Sequence, residues 1–228
     1  MITDTLQAWI IHKYWSGDTS ARVVFFTQEY GLINCLYKGG RTPKKQALLQ
    51  AFSSLWLTMD IRGDAYFVRQ LEIAAVPLQL VGQPLFAGLY MNELLYHALQ
   101  QRDPNQLLYE AYGQALAALM ATSDRFTIEI ILRRFEWAIL TACGFQMSLT
   151  HDARSALPID ENCFYRFVAG EGFILAGEGV SGAHIAAIAA GQLEDAAVLS
   201  AAKQIMRRAI HHALDGKEIK TRALYQWG

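Results

Sequence analysis

The sequence predicts an α+β chain: a small five-stranded β-barrel, then a helical domain with a short β-hairpin set into it. Three observations carry this. About the first 75 residues fall into short segments rich in β-branched and aromatic residues, separated by glycine-bearing turns. After Pro77 the apolar residues recur at helical spacing. Between Thr150 and Gly177 that spacing lapses into a strand–turn–strand pattern. The expected division is therefore a barrel over 1–77 and a helical domain over 78–228, with the inserted hairpin at about 150–177.

In the barrel, Leu6 to Tyr14 and Ala21 to Thr27 read as strands around the turn Ser16-Gly17-Asp18. Gln28-Glu29-Tyr30-Gly31 connects to a third strand, Leu32 to Lys38, which Gly39-Gly40-Arg41-Thr42-Pro43 breaks. Ala51 to Asp60 and Ala65 to Ile73 supply the remaining two, joined at Arg62-Gly63-Asp64. An SH3-like barrel and an OB-fold both suit this count.

Behind Pro77, Leu85, Leu89, Leu95 and Leu99 mark a first helix, with Asp103-Pro104 as its stop. A second runs from about Gln106 to Met120. In the third, Ile128, Ile131, Phe135, Ile139 and Ala142 form one apolar stripe, and Gly144 is its C-terminal stop. The hairpin pairs Phe164-Tyr165-Arg166-Phe167 with Phe173-Ile174-Leu175 across Gly170-Glu171-Gly172. A last helix spans about Ala196 to Leu214 and stops near Gly216.

Composition excludes several classes. With 53% hydrophobic residues in 228 and a net charge of −1, the chain can build a core and is not disordered. The opening Met1-Ile2-Thr3-Asp4 is acidic rather than basic, and no apolar run approaches the roughly 18 residues that cross a bilayer, so a cytoplasmic protein without membrane contact is expected. Cys35, Cys143 and Cys163 are widely spaced, which argues for reduced thiols and against a zinc site. Phosphate-loop, GxGxxG, HExxH and GxSxG signatures are missing, and adjacent His211-His212 point about 100° apart on a helix. Neither a catalytic site nor a cofactor is expected.

Charge is instead concentrated in patches. From Lys38 to Lys45 four cations (Lys38, Arg41, Lys44 and Lys45) stand without an acid. Two glycines there let backbone approach a ligand, so the loop suits phosphate. Strand aromatics such as Trp9, Phe25, Phe26, Tyr37 and Trp56 offer faces for bases, although most must fill the barrel. On the third helix, Leu132-Arg133-Arg134-Phe135-Glu136 sets two guanidinium groups beside the apolar stripe. Glu129 and Glu136 stand at helical spacing from Arg133, whereas Arg134 has no such carboxylate and is freer to meet an external anion. The last helix carries Lys203, Arg207 and His211 in one row and Arg208 and His212 in a parallel one.

In this order these residues resemble the RecO family of bacterial recombination mediators. The matching elements are Lys38-Gly39-Gly40-Arg41, Leu49-Gln50-Ala51-Phe52, Gly88-Leu89-Tyr90-Met91-Asn92-Glu93-Leu94, the Leu-Arg-Arg-Phe-Glu helix from Leu132 to Gly144, Ala201-Ala202-Lys203, and Lys217-Glu218-Ile219-Lys220-Thr221-Arg222. Each is weak alone; together they span nearly the whole chain in order. Some relatives carry four zinc-ligating cysteines in the inserted segment, where this chain has only Cys163.

The resemblance implies an N-terminal OB-fold and a non-enzymatic protein that binds single- and double-stranded DNA. It implies annealing of complementary strands, including those coated by single-strand-binding protein (SSB), and RecA loading at gaps together with RecR. It also implies a nucleoid-associated place in the bacterial cytoplasm. Lys38, Arg41, Lys44 and Lys45 are the expected DNA contacts. Arg133, Arg134, Lys203 and Arg207 are the expected contacts for the acidic, Phe-ending SSB tail, because such a ligand needs cations beside an apolar pocket. Rival readings are an OB-fold module for RNA, a protein-interaction scaffold, and a metal-dependent nuclease built on the turn carboxylates Asp18, Asp60 and Asp64.

Overall fold

Five strands close the barrel: β1 (Ile2–Ser16), β2 (Ser20–Thr27), β3 (Gly31–Tyr37), β4 (Ser54–Arg62) and β5 (Ala65–Ile73). Their order is β1-β2-β3-β5-β4, with β4 returning to β1. Neighbours are antiparallel except β3 and β5, which pair in parallel through Cys35↔Tyr66 and Leu36↔Phe67. A short helix, α1 (Pro43–Gln46), joins β3 to β4. This closed arrangement is an OB-fold and decides between the two barrels the strand count allowed. The computed structural model describes residues 2–224.

Alternation along the strands fills the barrel. Leu6, Ala8, Ile10, Val23, Phe25, Ile33, Cys35, Leu55, Leu57 and Met59 form its buried cluster. Burial pushes the Cys35 thiol up to about 12, far from reactive thiolate chemistry. A bulge in β1 between Ile10 and His12 resets the alternation. Beyond it, exposed Tyr14 stands opposite exposed Arg22 on the outer surface.

The contacts divide the chain into two compact units, one running to Ser123 and resuming at Ile219, the other Asp124–Glu218. The strand-to-helix change at Pro77 is thus not where the first unit stops, because α2 (Gln83–Ala98) and α3 (Gln106–Met120) pack with the barrel. Phe26 on β2 meets Tyr109 and Tyr112 of α3 with ring centroids 5.4 and 6.1 Å apart, and Trp9 meets Tyr112 edge-on at 5.7 Å. Helix α2 departs from its expected stripe. Leu85, Leu89 and Leu99 are only half-buried, and the buried side is Ala87, Gly88, Met91, Asn92, Leu94 and Leu95. The helix also ends at Ala98, ahead of Asp103-Pro104. The segment after it crosses back to the barrel, where Gly31 takes a left-handed φ of 63° and a side chain there would strike the Asp103 carbonyl.

The chain returns to this unit at a 3₁₀ turn, Lys220–Leu224. The Glu93 carboxylate accepts the Lys220 and Thr221 amides at 2.9 and 2.8 Å and the Thr221 hydroxyl at 2.6 Å. Arg222 lies over the Tyr90 ring, 5.7 Å from its centroid. Two segments quoted above for the family resemblance therefore meet in space.

In the second unit, α4 (Arg125–Ala142) buries Ile128, Ile131, Phe135 and Ile139 as its stripe requires. Asp124 caps it by accepting the Thr127 amide at 2.8 Å, and Gly144 follows it with a φ of 77°. The hairpin is β6 (Phe164–Val168) and β7 (Gly172–Ala176), in register Phe167↔Phe173. A two-residue strand β8 (Val180–Ser181) and helix α5 (Gly182–Ala189), neither of them expected, follow it. Helix α6 (Ala196–Ala213) buries Val198, Leu199, Ala202, Ile205, Met206 and Ala209, and packs with α4 and α5. Asp152, on the loop before the hairpin, accepts the Arg154, Ser155 and Leu175 amides at 2.8, 2.7 and 2.6 Å.

Candidate nucleic-acid interface

The basic connection is built on backbone geometry. Gly39 takes a φ of 68°, the Gly40 amide donates to the Tyr37 carbonyl at 3.1 Å, and the Thr42 amide and hydroxyl both donate to the Gly39 carbonyl at 3.0 Å. A side chain on Gly40 would come within 2.9 Å of that Tyr37 carbonyl and 3.0 Å of Ala21 Cβ, so the residue is glycine by space. The Arg41 amide donates to the Thr19 carbonyl at 3.0 Å, which ties the connection to the β1–β2 turn.

On this frame the four cations differ. Arg41 donates one guanidinium hydrogen to the Gly17 carbonyl at 3.0 Å and lies over the Trp15 ring at 5.4 Å. A guanidinium has five N–H donors, so capacity remains for a phosphate. Lys45 Nζ donates to the Lys38 carbonyl at 2.8 Å and sits 4.6 Å from the Tyr37 ring centroid. Lys38 extends over Phe67 at 5.9 Å. Lys44 is exposed on α1. Among the described residues none of the four has a carboxylate within ion-pair distance. Their charge is uncompensated, as a sequence-independent phosphate contact requires.

The cations of the second unit are mostly paired. Arg133 is buried, its Nε 2.7 Å from Glu136 Oε2 and its terminal nitrogen donating to Glu136 Oε1 at 2.8 Å. Arg134 is exposed but lies 3.5 Å from Glu194, a partner distant in sequence that helical spacing could not reveal. Lys203 on α6 donates to Glu129 on α4 at 3.1 Å, and Arg125 stands 3.9 Å from the same carboxylate. Arg207 is exposed. The structure thus brings Arg133, Arg134 and Lys203 onto two packed helices, while Phe135 lies in the core and is not an open pocket wall.

Against known proteins, residues 1–76 match the family model described as Recombination protein O N terminal, and residues 82–222 match Recombination protein O C terminal. The chain belongs to the RecO family. Similar curated relatives are the DNA repair protein RecO of Legionella pneumophila subsp. pneumophila strain Philadelphia 1, 53% identical with 99% of each chain covered, and that of Serratia proteamaculans strain 568, 33% identical with 96% of this chain and 92% of the relative covered. The RecO of Escherichia coli O1:K1 / APEC is 32% identical over 96% of this chain and 93% of its own. RecO membership assigns the chain to DNA repair and recombination.

In this RecO-family chain the aromatic faces are not mainly those the strands suggested. Phe25, Phe26 and Tyr37 are buried and Trp9 is half-buried, so of that set only Trp56 is exposed. Sequence reasoning missed Tyr14, Trp15 and Phe67, which lie outside the barrel beside the cations. Tyr14 and Trp15 lie beyond the β1 bulge, which resets the alternation and which no turn residue in the sequence announces. Among the described residues no group of three or more His, Cys, Asp or Glu side chains is placed to hold a metal, and no helix is long and apolar enough to cross a membrane.

Proposed function

We propose that this chain is a non-enzymatic recombination mediator of the bacterial cytoplasm and nucleoid. Its barrel, residues 1–77, binds single- and double-stranded DNA through Lys38, Arg41, Lys44 and Lys45. Its helical domain, residues 78–228, receives the SSB tail through exposed Arg134 and Arg207, with Lys203 and Arg133 supporting that surface. It anneals complementary strands, SSB-coated ones included, and with RecR promotes RecA loading at gaps.

The observation that carries this reading is the uncompensated charge of the basic connection. Annealing needs contacts that tolerate any sequence, and phosphate contacts have that property while carrying no base information. The test is fluorescence annealing of complementary oligonucleotides, bare and SSB-coated. Acceleration of both by the wild-type chain, and its loss in the Arg41, Lys44 and Lys45 triple alanine variant, is expected. Full annealing by the triple variant overturns the assignment of the loop, and no annealing by wild type overturns the function.

A further inference from the structure

A cavity of about 260 Å³ opens on the outer surface of the barrel, lined by residues that include Arg22, Asn34, Leu36 and Phe67. It forms where β3 and β5 pair over only two residues and where Gln101 crosses back to bridge Gly31 and Leu32. Register places it on a transverse row: Tyr14 opposite Arg22, Arg22 opposite Leu36, and Leu36 opposite Phe67. The Phe67 ring has Lys38 and Arg62 over it, 5.9 and 5.3 Å from its centroid. Asn34 Nδ2 donates to the Tyr14 hydroxyl at 3.1 Å, but buried Asn34 Oδ1 meets no hydrogen-bond partner among the described residues. A buried acceptor left unmatched is costly, which favours a turn of the Asn34 side chain that brings this oxygen to a donor.

We propose that this cavity takes one unpaired nucleobase of a single DNA strand, with Phe67 against its face and Asn34 reading its edge. The inference rests on the DNA-binding reading above and adds a base preference that phosphate contacts lack. The aromatic ring suits the π-face of any base. Arg22 lines the cavity, and Lys38 and Arg62, which lie over the Phe67 ring, must swing off it to let a base stack and then suit the phosphates on either side; the one lining carboxylate, Asp64, is paired with Arg102. A turn of the Asn34 amide brings its carbonyl to the occupant, which must offer a hydrogen. The exocyclic amino groups of cytosine, adenine and guanine do so. Thymine offers one N–H held between two carbonyls, which the Asn34 oxygen repels. A paired base cannot enter without leaving its stack, so the site selects single strands.

The experiment compares wild-type affinity, by fluorescence anisotropy, for an oligothymidine and for the same oligomer with one central cytosine. The cytosine oligomer should bind about two- to ten-fold more tightly, the range of one neutral hydrogen bond. Asn34→Leu should erase that difference. Phe67→Leu should weaken both oligomers by at least about five-fold and leave the salt slope unchanged, because stacking rather than a phosphate contact is lost. Equal wild-type affinity for the two oligomers, or an unchanged affinity in Phe67→Leu, overturns the cavity while salt-dependent binding itself stands. Absence of any salt-dependent binding to either oligomer overturns the DNA-binding reading along with it.

Discussion

The Tyr112 hydroxyl donates to Asn92 Oδ1 at 2.6 Å, and Asn92 Nδ2 donates onward to the Ile11 carbonyl at 3.2 Å. Both side chains are buried, so one amide fastens α3 to α2 and α2 to the first barrel strand. The asparagine of the Gly88–Leu94 segment is thereby a structural clamp. Glu93 beside it holds the returning chain. Tyr112→Phe leaves the Asn92 oxygen buried without its donor and should destabilise the barrel unit by about 1–3 kcal/mol. Urea unfolding checks this, and DNA affinity of the folded variant should be unchanged.

Lys44 is the cleanest probe of phosphate binding, because Arg41 and Lys45 also hold their own loop. Lys44→Ala should leave the melting temperature unchanged. It should flatten the log–log salt dependence of duplex binding by about 0.9, the release expected for one lost phosphate contact. A full wild-type slope would remove Lys44 from the interface.

The neighbours Arg133 and Arg134 should give opposite phenotypes. Arg133→Met removes the buried ion pair of the Glu136 carboxylate and should cost about 3–5 kcal/mol of stability. Arg134→Ala breaks only an exposed pair with Glu194, worth about 0–1 kcal/mol. It should instead weaken SSB-tail peptide binding by about 1.5–3 kcal/mol, as for a hydrogen bond to a charged group. Calorimetry with the peptide and its Phe-deleted version measures this; normal binding by Arg134→Ala would dismiss the residue as a contact.

Acid should loosen the second unit through Asp152. The Ser155 and Leu175 amides, with further bonds from Arg154 and the Ser155 hydroxyl, hold its carboxyl down to about 2, from 3.8. A folded-state value below the unfolded one means that its stabilisation is complete above 3.8 and fades as pH falls toward 2. Wild type should therefore be more stable than Asp152→Asn at neutral pH, with the gap closing below 3.8. Thermal melts of both proteins across that range provide the measurement, and a gap independent of pH would contradict it.

Sequence periodicity disclosed those parts that bury one side only. Strands β4 and β6 alternate between core and solvent and α4 and α6 each bury one face, so their residue types carry the pattern, whereas β2 is buried on both sides from Val23 to Thr27. Helix α2 packs against both β1 and α3, and its burial spreads beyond the leucine spacing. Helix α5 is mostly alanine and glycine with two isoleucines, too small a stripe to announce itself. In the candidate site, the cations of the basic connection were visible because they are contiguous. The pairing of Arg134 with Glu194 and the placing of half-buried Phe67 beneath Lys38 and Arg62 were not, since both depend on residues brought together by the fold.

The grip of Glu93 on Lys220 and Thr221 has a consequence for biosynthesis. The ribosome delivers the whole of Asp124–Glu218 before it delivers the segment that Glu93 holds. The barrel can close early, but its outer latch stays open through the translation of an entire second unit, several seconds at bacterial elongation rates of about 5–20 residues per second. A fragment ending at Ser123 would thus be an unlatched barrel, whereas an internal deletion of Asp124–Glu218 that splices Ser123 directly to Ile219 would supply the latch in its native order.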